Sequence, residues 1–114
     1  MTEITWYGHA AFKIQIADKI VLIDPYLNKN PASPVKAEDV GKVDIVFVTH
    51  DHGDHLGDAF SICEKTNAAF VAASELAGFA EQKGVRNVVD MNIGGTVEIN
   101  GVKLTVVQAC TRPP

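Results

Sequence analysis

The sequence has no long apolar run, no basic block and little cysteine, and each shortage removes a class of protein. No apolar stretch approaches the ~20 residues that a membrane-spanning helix requires. The N-terminus, Met1-Thr2-Glu3-Ile4, has no basic segment ahead of an apolar one. No signal peptide is therefore expected, and a cytoplasmic protein is the default. The 14 acidic and 10 basic residues leave a net charge of −4 with no cationic stripe, which argues against a DNA or RNA backbone as partner. The 2 cysteines, Cys63 and Cys110, lie far apart and match neither a disulfide framework nor a CxxC clip. Reduced thiols are expected, with Cys63 buried in a helix. There is no internal repeat, low-complexity segment or interdomain linker.

What is present is enough for one domain. Of 114 residues 46% are hydrophobic and 21% charged, and a chain of this size covers roughly two-thirds of its unfolded surface on folding. Ile4-Thr5-Trp6-Tyr7 is rich in β-formers, and Phe12, Ile14 and Ile16 alternate with Lys13 and Gln15 as a half-buried strand does. Asp18-Lys19 reads as a hairpin turn into a strand at Ile20–Ile23, which Asp24-Pro25 ends. A short helical turn is expected over Lys36–Val40. Asp44-Ile45-Val46-Phe47-Val48-Thr49 is the nearly continuous apolar run of a strand buried on both faces. A helix over Asp58–Lys65 and a short strand at Ala69–Ala72 follow. Ser74 is a candidate N-cap of a second helix that stops at Gly84. A strand at Val88-Val89 and a hairpin, Thr96–Ile99 with Val102–Gln108 turning at Asn100-Gly101, complete the pattern. Strands first and then alternating strand and helix predict an α/β or α+β layered sheet.

The chemistry concentrates in Thr49-His50-Asp51-His52-Gly53-Asp54-His55. In extended backbone His50 and His52 point to one side, so both reach one ion at about 2.0–2.1 Å. Asp54 and His55 fall where the chain turns toward a helix and could hold a second ion. Gly53 is read as the residue that lets the backbone turn sharply between the pairs. Imidazole with carboxylate suits Zn²⁺, and also Fe or Mn. A lone histidine at a strand end is usually structural. This many imidazoles and carboxylates packed together repel one another and are costly to desolvate unless an ion pairs them.

His50-x-His52-x-Asp54-His55 after an apolar strand resembles the metal motif of the metallo-β-lactamase superfamily. Trp6-Tyr7-Gly8-His9-Ala10, Ile23-Asp24-Pro25-Tyr26 and the arm Gly101–Val106 resemble one branch of it, the metal-dependent hydrolases related to the ascorbate-phosphate lactonase. The resemblance implies half of an αββα sandwich: a mixed β-sheet with helices on one face, in a single truncated domain over residues 1–114. It implies that His50 and His52 serve a first metal ion and Asp54 and His55 a second. It further implies hydrolysis of a small-molecule substrate by a metal-bound hydroxide, with Asp54 orienting the water or accepting its proton. Asp24 is expected beneath the site as an acceptor fixing a ligand imidazole, against the plainer reading of a turn residue before Pro25. His9 is expected to line the pocket, and Asp51 to contribute only its charge.

The chain departs from that pattern in its ligands. No histidine follows His55, and Thr111 stands where the family's Ala-x-His-Ser has its histidine. Read one base earlier, Cys-Thr-Arg-Pro can become Leu-His-Ser-Pro. A frameshift near codon 109 is the expectation, checked by sequencing the gene and the DNA downstream. Half a sandwich leaves one apolar sheet face open, so a homodimer or higher oligomer through that face is expected. The competing expectation for function is a catalytically inert, metal-binding half-domain.

Overall fold

β-Rich segments at the start of the chain pair locally, and the apolar runs that follow add to them through helical crossovers. The computed structural model describes residues 2–50, 53–91, 94–99 and 101–106. β1 (Thr2–Gly8), β2 (Ala11–Ile16) and β3 (Lys19–Ile23) form an antiparallel meander. β4 (Ile45–Phe47), β5 (Ala69–Ala72) and β6 (Val88–Asp90) extend it in parallel, giving a six-stranded mixed sheet in order β1 to β6. α1 (Gly53–Leu56) and α2 (Ala59–Thr66) connect β4 to β5, and α3 (Ser74–Gln82) connects β5 to β6. β7 (Thr96–Ile99) and β8 (Val102–Thr105) form a separate hairpin.

The two faces of the sheet carry different cores. Ala59, Ile62 and Cys63 of α2 and Leu76, Ala77 and Ala80 of α3 recur at helical spacing and are buried. The α2 set, with Leu76 and Ala80, packs with Leu22, Val46, Val48, Phe70 and Ala72. On the opposite face Val21, Ile45 and Val71 pack with Met91 and Val102, joined by half-buried Ile14, Ile23, Phe47, Val97, Ile99 and Leu104. The helices thus cover one face, and the hairpin covers much of the other. At the β1 end the second face stays open, with Ile4 64% and Trp6 63% exposed. The open face expected from sequence is therefore narrower than a whole sheet, because the alternating apolar residues of β7 and β8 dock on it.

Several local expectations shift by a residue or two. The hairpin turn lies at Ala17-Asp18, since Lys19 already pairs with Ile16. The short helical turn is a 3-10 turn at Ala37–Asp39. Ala73, in extended backbone at φ −63 and ψ 158, is the N-cap of α3, and Ser74 is its first helical residue. The Ser74 hydroxyl lies 3.5 Å from Asp90 Oδ2. Val48 N–H still donates to Val71 O, the last bond of the β4–β5 ladder, and pairing stops beyond it because Thr49 N–H goes to a side chain. Asn100 of the expected turn and the arm beyond Val106 lie outside the described residues. Among the described residues, no helix is long and apolar enough to cross a membrane.

Candidate metal centre

β3 and β4 run parallel and end side by side, which brings Asp24 next to Thr49 and His50. Asp24 is held there by its backbone N–H, which donates to Phe47 O at 2.9 Å. Its φ of +48 is left-handed, a conformation that a short polar side chain tolerates better than most. Only 2% of the residue is exposed, so its carboxylate must be satisfied from within. Oδ1 accepts Thr49 N–H at 2.7 Å, and Oδ2 accepts the Thr49 hydroxyl at 2.7 Å. Oδ2 also meets His55 Nδ1 at 2.8 Å, and Thr49 Oγ1 meets His50 Nδ1 at 2.9 Å.

Proton accounting assigns both imidazoles. A carboxylate only accepts, so His55 Nδ1 carries the proton that Asp24 receives. The single hydroxyl proton of Thr49 goes to Asp24, so Thr49 Oγ1 accepts in turn from His50 Nδ1–H. In each neutral ring the lone pair is then on Nε2, the form in which imidazole binds a metal. The two rings lie together, centroids 4.0 Å apart and tilted by 45°. One buried carboxylate thus sets the tautomer of two histidines on different segments, the strand end and α1.

His9 arrives from the end of β1. Trp6 pairs with Phe12 and Gly8 with Ala11, so Tyr7 is an extra residue in the strand, and the resulting bulge turns the chain. Gly8 (φ +100) and His9 (φ +56) follow in left-handed conformations. A Cβ at Gly8 would lie 2.7 Å from Ala32 Cβ, so only glycine fits. The His9 ring stands edge-on to His55 at 5.2 Å and to Tyr26 at 5.8 Å.

The structure therefore gathers His9, Asp24, His50 and His55 at one end of the sheet. Asp54 is in α1, but its side chain, like His52 and Asp51, lies outside the described residues. Among the described residues no trio of His, Cys, Asp or Glu donors is arranged to hold an ion. Gly53 opens α1 without a left-handed φ, and a Cβ there would meet nothing within 4 Å. Its backbone therefore does not require glycine. The glycine that the fold does require follows His55: Gly57, at φ +47, where a Cβ would fall 2.5 Å from Tyr26 Cα and 2.6 Å from Pro25 O.

Two supporting polar residues escaped the sequence reading. Asp58 Oδ2 accepts Leu27 N–H at 3.0 Å and Asn28 N–H at 2.9 Å. Buried Asn30 donates to Gly8 O at 3.2 Å and Tyr26 O at 3.0 Å, and accepts Ala32 N–H at 3.0 Å. Both fix the 25–32 loop, and their only sequence signal was a polar residue beside turn formers. A groove of about 590 Å³, lined by Tyr26, Asn28, Lys29, Gly53, Gly57 and Asp58, opens beside α1. Its volume falls in the range of small-molecule sites.

Comparison with known proteins agrees with this geometry. The model of the beta-lactamase superfamily domain matches residues 19–112. The chain is 52% identical over 107 residues to a protein of Methanopyrus kandleri named a metal-dependent hydrolase, covering 94% of this chain and 46% of that one. A second protein of that name, from Caldivirga maquilingensis, is 50% identical over 100 residues, covering 87% of this chain and 44% of its own. The chain thus spans about half the length of the curated relatives it matches. Igni18, a metallo hydrolase from the hyperthermophilic archaeon Ignicoccus hospitalis, superposes with a TM-score of 0.78 at 36% identity, over 85% of this chain and 42% of that one. CmlA, a diiron β-hydroxylase from Streptomyces venezuelae, reaches 0.76 at 18% identity, over 94% of this chain and 24% of that one. That second likeness shows the fold alone, and its different chemistry is a reminder that a fold does not choose a reaction. With the family model matched over most of its length, this chain belongs to the metallo-β-lactamase superfamily, in the branch of these metal-dependent hydrolase relatives.

Proposed function

We propose that His50, His52, Asp54 and His55 hold a divalent metal ion, Zn²⁺ by preference with Mn or Fe also suited, and that the activity is hydrolysis of a small molecule. The observation that carries this reading is the Asp24 network. A buried carboxylate that orients two neighbouring imidazoles through their Nδ1 atoms is the outer support that metal-binding histidines usually have. The donor chemistry fits a borderline cation. When bound, such an ion acidifies a water molecule toward a pKa of about 7 and so supplies a nucleophile. Asp54 is assigned to orient that water and accept its proton. Asp24 holds His55 directly and His50 through Thr49. The groove beside α1, with the Tyr26 ring and Lys29 in its wall, takes the body of the substrate.

Zinc titration with elemental analysis tests the metal reading. At least one ion per chain is expected to survive desalting. Asp24→Asn, which keeps size and tolerance of the left-handed φ, is expected to weaken binding roughly 10- to 100-fold with an unchanged circular dichroism spectrum. Chelator-sensitive hydrolysis of a panel of lactones and phosphoesters tests the activity. A wild-type chain that retains no metal at micromolar concentration overturns the reading.

A second reading is favoured by the exposure of Ile4 and Trp6: a metal-binding but catalytically inert chain that pairs with its own copy through the open end of the sheet. Metal retention without hydrolysis, in a dimer, is its signature.

A further inference from the structure

The lysines of this chain differ in how their charge is used. The ammonium groups of Lys36, Lys42 and Lys65 donate to Asn28 O at 3.2 Å, Asp18 O at 3.2 Å and Glu38 O at 2.7 Å. Lys83 lies over the Phe79 ring, 5.2 Å from its centroid. Among the described residues the Lys29 ammonium has no hydrogen-bond or ion-pair partner. Lys13, Lys19 and Lys103 share that state but lie in β2, β3 and β8, whereas Lys29 lines the groove of about 590 Å³ beside α1. We propose that Lys29 receives a carboxylate group of the substrate, so that the site takes a small carboxylic acid anion whose hydrolysable bond faces α1. The proposal names the substrate class of the site described above and rests on that reading for the reaction.

The backbone around Lys29 is tied down, which leaves its exposed side chain as the adjustable part. Asn30 N–H donates to Leu27 O at 3.1 Å and closes a turn with Asn28 and Lys29 at its tip. The Tyr26 hydroxyl donates to Lys29 O at 3.0 Å. Asn28 N–H is held by Asp58, and Asn28 Oδ1 accepts Ala37 N–H at 2.8 Å. A donor anchored in advance loses less freedom on binding. Charge then selects the ligand class. Asp58 is the carboxylate of the groove lining, and its Oδ2 is committed to the N–H groups of Leu27 and Asn28. One unpaired ammonium matches a singly charged group. A phosphate monoester carries a charge of about −1.5 to −2 at neutral pH, and its excess would face Asp58. The Tyr26 ring in the wall offers an apolar surface for the body of the molecule. Gly53 lines the same groove and opens α1, so the groove joins Lys29 to the helix that carries His55.

The test reads binding and does not need hydrolysis. Phenylacetate, phenylacetamide and phenyl phosphate are titrated into the full chain, zinc-free and zinc-loaded, and followed on the NMR signals of Lys29 and Tyr26. In the zinc-free chain phenylacetate is expected to move both signals saturably. It should bind roughly 2- to 5-fold more tightly than phenylacetamide, the scale of a solvent-exposed charge pair. Salt at about 0.5 M should erase that preference. Lys29→Met, which keeps the length and loses the charge, should erase it as well, and Lys29→Arg should retain it. Both variants should keep the circular dichroism spectrum and zinc content of the wild type. Equal binding of acid and amide, binding of neither, or a preference that survives Lys29→Met overturns the proposal. Tighter binding of phenyl phosphate than of phenylacetate overturns the choice of a carboxylate. Phenylacetate that binds only with zinc, whatever residue stands at position 29, is a ligand of the ion and refutes the Lys29 site. A chain that never binds zinc but keeps the Lys29-dependent preference refutes the metal reading alone.

Discussion

At the scale of single residues, burial and proton counting decide most of the chemistry. Asp24 is the clearest case. From sequence it was a carboxylate before a proline, with a turn role or a role beneath the site equally open. Its place between Thr49 and His55 comes from the parallel register of β3 with β4, where Ile23 is opposite Phe47. Cys63 shows burial acting in the other direction. It lies in the α2 core, and desolvation pushes its thiol up to about 12 from an ordinary 9.0. The folded chain therefore keeps a proton that the unfolded chain releases near pH 9. This contribution to stability is complete below that pH and is lost as pH rises toward about 12. Cys63 is expected to resist a disulfide reagent in the native protein and to react in urea, with peptide mapping separating it from Cys110. The urea midpoint should fall more between roughly pH 9 and 11 for wild type than for Cys63→Ala. Equal slopes would mean the thiol is solvated.

At the scale of elements, periodicity was legible and boundaries were not. β2, β5, β7 and α2 follow directly from alternation, a short apolar run and i, i+3, i+4 spacing. α1 was read as a turn, because only Gly53–Leu56 are helical, too short to carry a pattern. Its position depends on packing: Gly57 lies against the backbone of Pro25 and Tyr26, and Asp58 N–H donates to Pro25 O at 3.0 Å. Gly57→Ala must shift that contact while adopting a left-handed φ. It is expected to destabilise by roughly 2–5 kcal/mol in urea unfolding, the sum of a backbone strain and an overpacking penalty. Gly53→Ala meets no neighbour and gains helix propensity, so it should leave stability unchanged or raise it by up to ~1 kcal/mol. Equal effects at the two glycines would contradict the assignment of Gly57 as the position that must be glycine.

At the scale of the whole molecule, the question is what covers the β1 end of the second sheet face. Ile4 and Trp6 continue the apolar rows of Ile14 and Phe12 across the β1–β2 pair, beyond the reach of the β7–β8 hairpin. Contiguous apolar surface of this kind marks association. Light scattering at micromolar concentration is expected to give twice the mass of the chain, and Ile4→Lys to shift it toward monomer. A stable wild-type monomer would remove the self-pairing proposal and leave the metal reading untouched.

The sequence by itself determined the layered α/β character, the strand that ends in the histidine loop, the likeness to a metal-dependent hydrolase family and the residue types at the site. These depend on local pattern and on chemical identity, which the chain carries without being folded. Tertiary structure alone decided which nitrogen of His50 and of His55 bears the proton. It also decided that Asp24 supports two imidazoles at once, that Gly57 and not Gly53 must be glycine, and that the hairpin narrows the open face. Each of these depends on contacts between segments far apart in sequence, Asp24 with His55 and Gly8 with Asn30 among them, and only the register of the folded sheet sets such contacts.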